Sequence, residues 1–142
     1  MDQAVGNIAD GTPVDWGAIE GSGERDGTNA WVGNLHIIQD VANFYRLSAC
    51  DTGPVPHSTP DEEATVEVVV GEERAARYNA ALRQLTRVDR HAVIGRLELL
   101  SSYGDLAAVL GYRYWSARAS AGAARRAVTR ALRHLAVEMG HV

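Results

Sequence analysis

The sequence predicts an all-α protein, in which a C-terminal helix-turn-helix domain of four helices follows an amphipathic helix and an acidic linker. Apolar residues recur at intervals of three or four over most of the chain, and this spacing gives a helix one buried face. Serine or threonine precedes several of these stretches as an N-cap, and glycine or a proline-rich segment follows them as a stop. We therefore expect a leader over residues 1–50, a linker over 51–62 and the helix-turn-helix domain over 63–142.

The leader is expected to contain one long helix. Residues 1–14 and 20–29 are rich in Gly, Asp and Ser and are predicted to be irregular, with one short turn between them around Trp16 and Ile19. The long helix is predicted over residues 28–47, where apolar side chains fall at helical spacing. This apolar stripe either packs on the C-terminal domain or forms a face that binds a partner.

The C-terminal domain begins with a conflict between two patterns. Residues 65–70 form a β-branched run with strand propensity, but the stretches on both sides follow helical spacing. We predict helix here, with Gly71 as a weak point, and a strongly patterned helix from Glu72 onward.

Three further helices are predicted after residue 85. Thr86 or Asp89 caps the first, Ser102 caps the second, and the third spans residues 121–139. The turn before the third helix, over residues 112–120, is about six residues longer than the three to four of a compact helix-turn-helix. Its aromatic residues either pack beneath the last helix or belong to an enlarged surface loop.

Charge is divided unevenly between the two halves of the chain. The net charge is −4, but residues 1–73 contain fourteen acidic residues and two arginines, whereas residues 74–142 contain four acidic residues and twelve arginines. Such asymmetry favours contact with a polyanion, because clustered cations displace counterions from phosphates, although a solvated helical surface has the same composition. All fourteen basic residues other than histidine are arginine, which suits bidentate contacts with phosphate or guanine.

Several function classes lack support in the sequence. We recognise no nucleophile, acid–base pair, phosphate-binding loop or cluster of metal ligands, so we expect no enzyme, cofactor, metal or small-molecule substrate. The five histidines are expected in surface or capping roles. No apolar run is long enough for a bilayer, no signal-peptide pattern is present, and the single Cys50 forms no internal disulfide. These features predict a cytoplasmic protein that does not bind membranes.

The C-terminal half resembles a known family. The stretch from residue 72 to 139 contains "RVDR", then "YGDLAAVLG", and finally "AARRAVTRALRHLAVEM". It is similar to region 4 of bacterial extracytoplasmic-function sigma factors, whereas residues 1–71 do not resemble region 2 of those proteins.

The resemblance implies a four-helix domain that recognises a promoter element in double-stranded DNA and docks on the flap of the RNA polymerase core. The helix from about residue 121 to 139 would be the recognition helix, with Arg125 and Arg126 as the leading contacts. The candidate DNA-binding residues are Arg113, Arg118, Ser120, Arg125, Arg126, Thr129, Arg130 and Arg133.

Two expectations concern how such a domain would act. The acidic leader could fold back on the arginine-rich surface of the C-terminal half and compete with DNA. The alternative to a transcription-related DNA-binding protein is a helical interaction module that binds polymerase or another regulator without DNA.

Overall fold

The computed structural model describes residues 2–21, 28–50, 65–113 and 116–140, and the regular structure in these ranges is entirely helical. The predicted all-α class is therefore confirmed. The elements are α1 (Asp2–Asp10), α2 (Trp16–Gly21), α3 (Thr28–Cys50), α4 (Val66–Val70), α5 (Glu72–Gln84), α6 (Arg87–Val93), a π-helical turn (Ile94–Glu98), α7 (Tyr103–Leu110) and α8 (Ala117–Met139).

Helix α8 lies at the centre of the fold and packs against α1, α3, α5, α6 and α7. Its buried side chains recur every three to four residues, and most of them are alanine, so the neighbouring helices approach closely. The buried residues of α8 are Ala123, Ala124, Ala127, Val128, Ala131, Leu132, Leu135, Ala136 and Met139.

The predicted long helix of the leader is confirmed as α3, and its apolar stripe packs within the protein. Leu35, Ile38 and Val41 are fully buried, and Trp31 and Phe44 pack partly buried against the same core. Residues before and after the linker thus share one hydrophobic core. The linker residues 51–62 themselves lie outside the described ranges.

The first helix was not expected, because residues 1–14 were predicted to be irregular. Helix α1 forms there, with Ala4, Val5, Ile8 and Ala9 at most 1% exposed. Its sequence, "DQAVGNIAD", contains glycine, asparagine and aspartate, which are weak helix formers, so local propensity gives little sign of it. The helix is stabilised by packing its apolar face on α3 and α8.

The predicted caps are largely confirmed. The Thr86 hydroxyl accepts a hydrogen bond from the Asp89 N–H at 3.2 Å, and Ser102 accepts one from the Asp105 N–H at 3.1 Å. The β-branched run is helical, and α4 ends at Gly71, whose φ of +106° favours glycine. Each of these features was visible in the local sequence.

The last helix begins earlier than predicted, at Ala117 instead of residue 121. The Ser116 side chain accepts a hydrogen bond from the Ala119 N–H at 3.0 Å, which makes Ser116 the N-cap, and alanine-rich residues follow it. The connector after α7 is therefore residues 111–116. Tyr112 packs partly buried against the core, whereas the other two aromatic residues of the predicted turn lie outside the described chain.

A buried amide joins α3 to the C-terminal end of α8. Asn34 is buried, and its Nδ2 donates a hydrogen bond to the Ala136 carbonyl at 2.9 Å. That carbonyl lies in the last turn of α8, where backbone acceptors lack partners within the helix. Asn34 thus satisfies one of these acceptors from 102 residues away.

The Asn34→Ala variant should unfold at a lower urea concentration than the wild type. Loss of the amide leaves a buried carbonyl without its donor, which costs about 1–3 kcal/mol of unfolding free energy. The matched control is Asn43→Ala, an exposed asparagine on the same helix, for which we expect a change within about 0.5 kcal/mol. Equal stability of the two variants would contradict the capping role.

Candidate nucleic-acid interface

The outward face of α8 carries a cluster of exposed cations, which we call the arginine face. It consists of Arg126, Arg130 and Arg133, which with His134 and Val137 line an open cleft of about 490 Å³. At about 100° of rotation per residue, these arginines fall within roughly 60° of one another, on the side opposite the buried stripe. The structure thus brings together three of the predicted site residues on one exposed surface.

A buried carboxylate from α6 lies beneath this face. Asp89 is buried, and its Oδ2 lies 2.8 Å from Nδ1 of His134. Its other oxygen lies 3.8 Å from Nη2 of Arg130. His134 thus lies on the surface, as expected of the histidines, and it also contacts a carboxylate of another helix, 45 residues away in the chain.

Arg125 does not belong to the arginine face, although it precedes Arg126 in the sequence. It lies about 100° around the helix from its neighbour, and it faces α1. Its Nη2 donates to Oδ2 of Asp10 at 2.6 Å, and its Nε donates to Oδ1 at 3.3 Å. In the structure, this leading candidate therefore holds α1 against α8.

The carboxylate of Asp10 also contacts α7. The hydroxyl of Tyr103 donates to Oδ1 of Asp10 at 2.6 Å. The hydrogen bond from Arg125 lowers the pKa of Asp10 below its ordinary value, despite partial burial. Burial, together with the hydrogen bond to Asp10, raises the pKa of Tyr103 to about 12. Asp10 is therefore held as a carboxylate between a neutral phenol and a guanidinium.

Two further arginines anchor the end of α1. Arg96 donates from Nε to the Ala9 carbonyl at 2.7 Å, and Arg46 donates to the Ile8 carbonyl. The guanidinium of Arg96 also stacks on the Tyr103 ring, 4.1 Å from its centroid. Because the last carbonyls of a helix lack internal partners and carry partial negative charge, these cations stabilise the C-terminal end of α1.

The remaining predicted residues are dispersed. Arg113 is exposed in the connector, Arg118 is exposed in the first turn of α8, and Ser120 is half-buried. The Thr129 hydroxyl donates to the Arg125 carbonyl at 2.9 Å, within its own helix. Sequence reasoning missed His134 as part of the cleft, although its position four residues after Arg130 places both on one face.

A second surface feature is an apolar groove between the π-helical turn and α7. Leu99 and Val109 are 71% and 72% exposed at its edge. The chain leaves the π-helical turn through Leu100, whose positive φ of +54° is uncommon for a residue other than glycine. The groove has a volume of about 240 Å³ and is lined by His91, Ile94, Gly95, Leu99, Ser101, Leu106 and Val109.

Comparisons of the chain with protein-family models, with curated proteins and with solved structures found no match. Within the described ranges, no helix combines the length and the hydrophobicity needed to cross a membrane. In the same ranges, no cluster of three or more histidine, cysteine or acidic side chains is arranged to hold a metal ion.

We expect the Asp10→Asn variant to be less stable than the wild type by about 1 kcal/mol at pH 7, the upper range for a partly exposed ion pair. Because folding lowers the pKa of Asp10, its contribution is complete above the ordinary carboxyl pKa of about 3.9 and is lost as the pH falls through the lower folded value. Urea unfolding of the wild type and the variant at pH 7 and pH 3 measures this difference in stability. A stability difference that stays constant between these pH values would contradict the assignment.

Proposed function

We propose that the protein binds double-stranded DNA through the arginine face of α8, as a transcription-related protein similar to sigma-factor region 4. The observation that carries this proposal is the alignment of Arg126, Arg130 and Arg133 on the exposed side of a helix whose opposite side is buried. A helix of this kind fits the major groove of B-DNA, where its flanking arginines reach phosphates.

In this proposal, affinity comes mainly from phosphate contacts. The three arginines lie on successive turns, and each guanidinium can donate two hydrogen bonds to one phosphate. Base contacts come from the first turns of α8, where Arg118 is exposed. The connector of residues 111–116 is shorter than the predicted turn over 112–120, so the α7 and α8 pair comes closer to the length of a compact helix-turn-helix.

Salt dependence tests the proposal directly. Arg126→Ala, Arg130→Ala and Arg133→Ala should each lower the slope of log affinity against log salt by about 0.9, the value for one lost phosphate contact. Fluorescence anisotropy with a labelled duplex at several salt concentrations measures this slope.

The control is Arg74→Ala, which removes the same charge from a pair between α3 and α5, where Arg74 donates to Asp40 at 2.6 Å. We expect its slope to equal that of the wild type. The proposal fails if the wild type binds no duplex even at low salt, or if the control lowers the slope as much as the α8 variants do.

The apolar groove favours a second function, that of an interaction module that docks on a protein. Exposed aliphatic side chains around a concave surface are typical of sites that accept the apolar face of a partner helix. Leu99 and Val109 have this arrangement beside Leu106. The resemblance to region 4 names the flap of RNA polymerase as the first partner to test.

Leu99→Ser should weaken binding to core RNA polymerase at least tenfold while leaving duplex affinity unchanged, because one buried leucine contact contributes about 1.5–3 kcal/mol. Leu99 is largely exposed, so we expect little change in stability. Val68→Ser, an equally exposed aliphatic residue on α4, is the control. Biolayer interferometry with bacterial core polymerase provides the measurement. If Leu99→Ser binds polymerase as tightly as the wild type does, the groove is not the polymerase-binding site.

A further inference from the structure

We propose that α1 is a brace that sets the orientation of α8 relative to α7, and that Asp10 is the positioning residue through which it acts. This inference rests on the proposed function, because it concerns the orientation of the helix that is proposed to bind DNA.

The connector alone does not set the orientation of α8, which depends also on contacts between helices, including the direct packing of α7 on α8. Residues 111–116 join α7 to α8, whereas a compact helix-turn-helix uses three to four residues. A longer connection restricts its two ends less. The start of the connector is tied back to α7 by the Tyr112 N–H, which donates to the Ala107 carbonyl at 2.8 Å.

Asp10 supplies a constraint that the connector does not. It accepts from Tyr103, the first residue of α7, and from Arg125 in the N-terminal half of α8. Both bonds are 2.6 Å long and end on the same carboxylate. The start of α7 is thereby held at a fixed distance from α8, at the opposite end of α7 from the connector.

The brace is itself immobilised. Its C-terminal carbonyls are held by Arg46 from α3 and by Arg96 from the π-helical turn. Arg96 also donates to the Ser101 carbonyl at 2.9 Å, just before α7 begins. Because α1 is fixed to several elements, the ion pair of Asp10 with Arg125 holds α8 in place relative to those elements.

This role differs from that of an acidic leader that competes with DNA. A competing segment must detach to allow binding, and detachment of α1 would expose Val5 and Ile8, which are at most 1% exposed. The two roles also predict opposite effects for Asp10→Asn. If Asp10 competes with DNA, the variant frees Arg125 and raises the positive charge near the DNA, so DNA binding tightens. If Asp10 acts as a brace, the variant weakens DNA binding.

The experiment uses the full-length chain with Asp10→Asn, which keeps the shape of the side chain. Residual dipolar couplings of the backbone amides in α7 and α8 report the relative orientation of the two helices without DNA. Fluorescence anisotropy with the labelled duplex reports affinity. We expect a changed orientation of α8 relative to α7. We also expect at least about a twofold loss of duplex affinity, which corresponds to the smallest interaction free energies found between residues in one hydrogen-bonded network.

Asp40→Asn is the matched control. It makes the same change of charge and disrupts the same type of ion pair, with Arg74 at 2.6 Å, but it lies between α3 and α5. We expect it to leave the couplings of α7 and α8 unchanged and not to weaken DNA binding.

Three outcomes separate the possibilities. Unchanged couplings in Asp10→Asn overturn the brace. Tighter duplex binding by that variant also overturns it, in favour of competition by the leader. If the wild type binds no duplex, the proposed function fails, and the couplings alone still decide whether α1 sets the orientation of α8.

Discussion

The burial of one face of α8 is the contact on which the rest of the structure depends. Five helices pack against it, and its alanine-rich stripe allows them to approach closely. Nearly every apolar side chain of α8 faces the core, and the exposed side of the helix therefore consists mainly of charged residues. The exposed arginines and the hydrophobic core are therefore two consequences of the same helical periodicity.

Much of the helical organisation could be predicted because its signals are local. The cap at Thr86, the cap at Ser102 and the break at Gly71 each depend on residues that are close in the chain, and the structure places them as expected. The start of α8 was misplaced because the sequence does not show that the Ser116 hydroxyl meets the free N–H of Ala119.

The rest could not be predicted, because it depends on contacts between distant residues. Helix α1 has a sequence of low helix propensity and is stabilised by tertiary packing. The pair of Asp10 and Arg125 spans 115 residues, and no local pattern indicates it. Periodicity placed five residues of the last helix largely on the side opposite the core: Arg125, Arg126, Thr129, Arg130 and Arg133. It could not show that Arg125 contacts another helix.

The amide of Asn34 and the carboxylate of Asp10 both reach α8 across more than one hundred residues. During synthesis, α1 and α3 are made well before α8, so the parts of their apolar faces that pack on α8 are covered only after α8 has been made. These contacts join residues that are far apart in the chain, and such contacts slow folding. The newly made chain passes through a stage in which exposed apolar surface favours aggregation or binding to chaperones.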